Sequence, residues 1–168
     1  MTAGKTRGGA TRFVATLLGC GAAACGAPDV PGEAPAAVRE AVEACGGLGG
    51  AEKQECYETR LLQEQDRSGV GASLAMLEAV AEIDRDVARD GHVYTHAIGL
   101  TAYDSDRPVA EAFSECTVLF QSGCYHGVIQ AHFLAEGAVD GETIRGLCEP
   151  YKGAGEDRWL LFQCLHGL

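Results

Sequence analysis

No Cys-x-x-Cys pair occurs anywhere in this chain, although it carries 8 cysteines. The usual knuckles of a multi-cysteine zinc site are therefore missing, and so is the Cys-x-x-Cys-His that attaches haem covalently. A run of alternating β-branched residues bounded by turn signals is also absent, which argues against a sheet. Beyond the N-terminal segment no apolar stretch is long enough to cross a bilayer. Positive charge is scarce: 13 Lys and Arg stand against 24 Asp and Glu. An acidic surface of this kind repels nucleic acid and anionic headgroups, so nucleic-acid binding is disfavoured.

What basic charge there is begins the chain. Lys5, Arg7 and Arg12 precede the apolar run Phe13-Val14-Ala15-Thr16-Leu17-Leu18-Gly19 and then Cys20. A basic start, a short apolar stretch and a small residue before the break form a secretion signal over residues 1–19. Leu17-Leu18-Gly19-Cys20 resembles the bacterial lipobox, which implies cleavage before Cys20 and a lipid thioether on its sulfur. The alternatives are a second, weaker site at Ala22-Ala23-Ala24-Cys25, an ordinary signal peptide, or no signal at all. Residues 20–36, rich in Gly, Ala and Pro, read as a tether with too little apolar surface to pack. The expected protein is a lipid-anchored, extracytoplasmic lipoprotein of a bacterial cell envelope, touching the membrane through its anchor alone. Removing the signal leaves 10 basic residues of the 13 against all 24 acidic ones, a net charge of −14.

Residues 37–168 suffice for one modest core. Outside the cytoplasm thiols oxidise. The six domain cysteines, Cys45, Cys56, Cys116, Cys124, Cys148 and Cys164, therefore predict three disulfides. Six cysteines allow 15 pairings; proximity in sequence favours Cys45–Cys56, Cys116–Cys124 and Cys148–Cys164, leaving Cys25 over.

The apolar spacing is helical nearly throughout. Val70, Leu74, Leu77 and Ala81 keep one face apolar for three turns, and Val109, Ala112, Phe113 and Cys116 do the same. Helices are expected over 35–46, 51–66, 70–89, 91–103, 107–120, 124–135, 141–150 and 157–166, with breaks at 46–50, Ser68-Gly69, 104–106, Gly123, Glu136-Gly137 and 153–155. The fold class is thus all-α, about eight short helices in packed antiparallel hairpins. A stacked helical repeat is the close alternative.

Four of the 5 histidines lie in patterns. His92, His96, Gly99 and Tyr103 fall on one helical stripe, and two imidazoles a turn apart are the geometric basis of helical His-x-x-x-His metal sites. Val93 stands where the zinc-protease motif needs a glutamate, so that chemistry is disfavoured. Leu119-Phe120-Gln121-Ser122-Gly123-Cys124-Tyr125-His126-Gly127-Val128 returns, shortened, as Leu161-Phe162-Gln163-Cys164-Leu165-His166-Gly167-Leu168. Residues two apart on a helix point about 200° away from each other, so each cysteine is free to fasten its helix while His126 or His166 faces elsewhere. His132, six residues after His126, is expected to point away. Gly99 on the stripe, and Gly127 and Gly167 after their histidines, permit close backbone approach.

At these motifs the chain resembles an uncharacterised group of bacterial exported, cysteine-rich helical proteins from about Cys56-Tyr57 to the end. The matching elements are His92-x-x-x-His96-Ala97-Ile98-Gly99-x-x-Ala102-Tyr103, Gly123-Cys124-Tyr125-His126-Gly127-Val128 and Cys164-x-His166-Gly167-Leu168. That family commonly has cysteine where this chain has Gly91, and it usually continues past the last motif with a further Gly-His pair. The resemblance therefore implies a C-terminally truncated member, and it implies no reaction.

The functional expectation is a histidine-lined site in which His92, His96, His126 and His166 gather around a transition metal, for which neutral imidazoles suit zinc, copper or iron. The competing expectation is a helical interaction module whose histidines support packing. No catalytic residue and no protein partner can be named.

Overall fold

The computed structural model describes residues 28–137, 140–153 and 155–168. The expected signal peptide and residues 20–27 of the expected tether, with Cys20 and Cys25, lie outside the described residues. Among those described, the chain is all-helical, with no strand: α1 (Ala36–Cys45), α2 (Gly50–Ser68), α3 (Val70–Ile83), α4 (Arg85–Ala102), α5 (Val109–Glu115), α6 (Leu119–Glu136), α7 (Gly141–Cys148), a 3-10 turn (Glu149–Tyr151) and α8 (Glu156–His166). Pro35 opens α1, whose buried Val38, Ala41, Val42 and Cys45 recur at helical spacing. A single residue, Gly69, separates α2 from α3 at φ 88°, a backbone that glycine adopts without penalty.

Two expected boundaries move. The helix expected over 70–89 is in fact two, because Asp84 is extended and caps α4, accepting from Asp86 N–H at 3.0 Å. The buried Asp84 carboxylate also receives Lys53 Nζ at 3.0 Å and Tyr57 Oη–H at 3.1 Å from α2, so the α3–α4 corner is pinned to a third helix. Burial alone pushes the Lys53 ammonium down, but hydrogen bonds to Asp86 and Asp84 outweigh it and hold its pKa above the ordinary value. The second boundary, expected at Gly123 after a helix over 107–120, moves further back: α5 ends at Glu115, and the break inside α6 falls at Phe120, Gln121 and Ser122, which have φ of 45°, 61° and 65°. Gly123 is not in the left-handed region and lies buried in α6.

The most extensive helix pair is α4 with α6. Its helices meet backbone to backbone: a Cβ on Gly99 would fall 2.0 Å from the Cys124 carbonyl oxygen, and one on Gly127 2.1 Å from that of His96. Buried side chains from all eight α-helices join in one core, where Phe113 lies against Tyr125 and Tyr151 at centroid distances of 5.3 and 5.5 Å. Three disulfides staple it in the pairing that proximity favoured: Cys45–Cys56 joins α1 to α2, Cys116–Cys124 spans the left-handed turn, and Cys148–Cys164 joins α7 to α8. At sequence separations of 8 to 16, loop-closure entropy assigns each about 2–3 kcal/mol.

Candidate histidine site

The α4–α6 crossing decides where the histidines go. On α4 the helical period sets His92 and His96 one turn apart, at a centroid distance of 6.3 Å. Because Gly99 and Gly127 let the two backbones touch, α6 brings the His126 ring to 5.4 Å from that of His92. His166, at the end of α8, lies 5.3 Å from His126. The four rings therefore form a row, His96–His92–His126–His166, assembled from three helices.

Each neighbouring cysteine does what the two-residue spacing predicts. Cys124 and Cys164 are fully buried in disulfides, and the histidines two places on turn to the row. Gly167 sits close to α6, where a Cβ would fall 2.5 Å from Ile129 Cδ1 and 3.3 Å from the His126 ring. The repeated Cys-x-His-Gly thus has one logic in both copies: a cystine fastens the helix, the histidine joins the row, and the glycine admits the neighbour.

Hydrogen bonding differs along the row. His92 Nδ1 lies 2.9 Å from the Phe120 carbonyl oxygen. That oxygen accepts only, so Nδ1 carries the proton, and in the neutral ring Nε2 keeps its lone pair. His126 Nε2 is buried and has no hydrogen-bond partner, an unusual state for a polar atom inside a protein. His166 is exposed and stacks face to face on Phe162, with an interplanar angle of 6°.

Burial lowers the His96 pKa below 6.5, helped by the nearby His92; burial likewise lowers that of His126, helped by His92, His166 and His96. Desolvation and mutual repulsion both disfavour the cation, so these two rings are neutral near pH 7 and hold basic lone pairs. Beside them opens a cavity of about 540 Å³ lined by His96, His126 and His166 with Phe133, Leu134 and Leu168.

Neutral imidazoles are apt metal ligands. Rings bound to one tetrahedral ion through nitrogens at about 2.0–2.1 Å have centroids roughly 5 Å apart, which the His92–His126 and His126–His166 separations approach. A row is nevertheless not a closed shell: among the described residues no three His, Cys, Asp or Glu side chains stand together as a ready-made ligand group. A shared ion would draw His166 and His96 inward around His92 and His126.

His132 stays apart, as its spacing predicted. It pairs with Tyr103 Oη at 3.2 Å and lines a separate cavity between α5, α6 and α7. Tyr103, which shares the stripe of His92 and His96, is thereby engaged outside the row. The Phe120 carbonyl has no signature in the sequence, since Phe-Gln-Ser does not announce a left-handed turn. No family model, no curated protein and no solved structure matches the chain.

Proposed function

We propose that this is a metal-binding protein of the cell envelope, in which His92, His96, His126 and His166 hold one transition-metal ion beside the open cavity. The observation that carries the reading is the buried, partnerless His126 Nε2 at the middle of the imidazole row. An atom of that kind is destabilising unless something occupies it, and a cation between neutral rings does so. His92 supports the reading, because an Nδ1–H bonded to a carbonyl is the usual arrangement behind a ligating Nε2. A bound ion would polarise a ligand entering the cavity; the protein's own part is to orient the rings and exclude water from their inner side.

Titration with zinc and copper tests this directly. The wild-type chain is expected to bind one ion, and a His126→Ala variant or a His92→Ala/His96→Ala double variant to lose that site. Equal affinity in all three proteins would sink the metal reading.

A second reading has its own support. The row is open rather than closed, and Trp159, Phe162, Leu165 and Leu168 are exposed near its outer end. On this view the domain is a non-enzymatic interaction module with structural histidines. Metal-free protein from the native envelope, measured by elemental analysis, would favour it.

Anchoring belongs to the same proposal. The basic start and Leu17-Leu18-Gly19-Cys20 support a mature protein acylated on Cys20, the three disulfides suit an oxidising compartment, and no described helix is long and apolar enough to cross a membrane. A Cys20→Ala variant is expected to leave the membrane fraction, and its retention there would contradict the anchor. Kinship with exported Cys/His-motif lipoproteins rests on the three motifs alone.

A further inference from the structure

We infer that the left-handed turn at Phe120-Gln121-Ser122 is the positioning device of the histidine row. It holds the Phe120 carbonyl against His92 Nδ1 and so fixes the His92 tautomer whose Nε2 is unprotonated. The inference concerns the same site as the proposed function, but it does not depend on what that site binds.

Three successive residues with side chains occupy the left-handed region here, and none is glycine. Single residues of that kind are uncommon, and a run of three persists only where the surroundings over-determine it. The surroundings are specific. Cys116–Cys124 closes the segment covalently, with a separation of 8 residues that contains the whole turn. On the far side of the turn Gly123 lies against α4, where a Cβ would meet Thr95 Oγ1 at 2.2 Å and the His92 carbonyl oxygen at 2.7 Å. The Phe120 ring is seated over Gly91, where a Cβ would lie 2.4 Å from its Cδ1. Thr95 Oγ1–H in turn donates to the His92 carbonyl at 2.9 Å.

A right-handed continuation of α6 through residue 120 would turn the Phe120 carbonyl along the helix, towards residue 124. The left-handed run redirects the backbone at this point, and the Phe120 carbonyl oxygen lies against α4. Its partner there is a ring nitrogen of His92. A carbonyl accepts and never donates, so this contact selects one of the two neutral tautomers. Phe120 acts through its backbone, and the disulfide and the two glycines hold that backbone in place. This also gives Gly91 a role: the ring of Phe120 takes the space that a side chain at that position would need.

The exposed Gln121 separates backbone from packing, since its side chain is in solvent while its φ is 61°. Glycine accepts that φ freely, whereas a β-branched residue does not. In ¹⁵N-labelled full chain without added metal, at a pH that keeps imidazoles neutral, long-range ¹H–¹⁵N correlations read each tautomer. Wild type and Gln121→Gly are expected to have His92 protonated on Nδ1 alone. Gln121→Val is expected to give the mixed tautomers of a free imidazole. A wild-type His92 protonated on Nε2 would overturn the inference, as would a folded Gln121→Val protein whose His92 keeps the wild-type pattern. Should Gln121→Val fail to fold, the thermal midpoint of Gln121→Gly decides: no decrease is expected, and a clear decrease would contradict a left-handed turn at this position. Where zinc does bind, weakening of about 10–100-fold in folded Gln121→Val is expected from loss of the orienting carbonyl.

Discussion

Along the α2–α3 hairpin, contact is made by side chains, while along the α4–α6 crossing it is made by backbone. The hairpin buries large residues at helical spacing, Tyr57 and Leu61 from one helix and Leu74 and Leu77 from the other, and turns on the single Gly69. The crossing instead removes side chains at Gly99, Gly123 and Gly127, closes a disulfide over a turn, and holds three residues in an uncommon conformation. The hairpin follows local preference. The crossing opposes it, at a local cost of about 1–2 kcal/mol for each left-handed residue, and this is where the imidazoles converge. That contrast is itself a pointer to the site.

The largest effect is expected at the corner that joins the two regions. Asp84→Ala would leave the buried Lys53 ammonium with the half-exposed Asp86 as its remaining acidic partner among the described residues. Removing one member of a buried pair costs about 3–5 kcal/mol. Chemical denaturation measures it, and a loss below about 1 kcal/mol would mean that Asp84 does not pin the corner.

A close second is Gly99→Ala. Its Cβ would need the space of the Cys124 carbonyl, so the helices must part, at about 3 kcal/mol. Gly71→Ala in α3, where a Cβ meets nothing within 4 Å, is expected to stabilise by about 1 kcal/mol. Opposite signs from the same substitution would sharpen the comparison; equal signs would break it.

Disulfide removal comes next. Cys45→Ser/Cys56→Ser and Cys116→Ser/Cys124→Ser are each expected to lose about 2–3 kcal/mol. Only the second should also disturb the His92 ring, and imidazole resonances that move equally in both variants would deny the crossing its special role.

The smallest effect is a pH dependence. Since the fold depresses the pKa of His96 and His126, the unfolded chain takes up protons more readily than the folded one. Stability is therefore full above the ordinary histidine value of 6.5 and is lost as pH falls through it towards the lower folded values. Thermal midpoints between pH 8 and pH 5 should fall in that window, and His126→Gln should flatten the fall. An unchanged profile in the variant would place the acid sensitivity elsewhere.

Much of this is written in local pattern. Apolar spacing at Val70, Leu74 and Leu77 announced the helices, six cysteines with the expectation of export announced three bridges, and the two-residue gap between Cys124 and His126 announced that they serve different neighbours. The α3–α4 corner was missed, because the apolar pattern runs on through residues 70–89 and nothing local linked the Asp84 cap to Lys53. The turn at Phe120 was not legible. Its residues have no preference for the left-handed region, and glycine at 123 drew the break to itself.

By itself, then, the sequence determined the all-α class, the bridges, and which histidines sit on which helix, for these follow from period, chemistry and short separation along the chain. Only the tertiary structure decided that α4 and α6 touch backbone to backbone, that His92, His126 and His166 from three helices meet in a row, and that the Phe120 carbonyl orients the first of them. Those outcomes depend on atoms far apart in sequence filling or vacating the same few ångströms, a quantity that no local preference encodes.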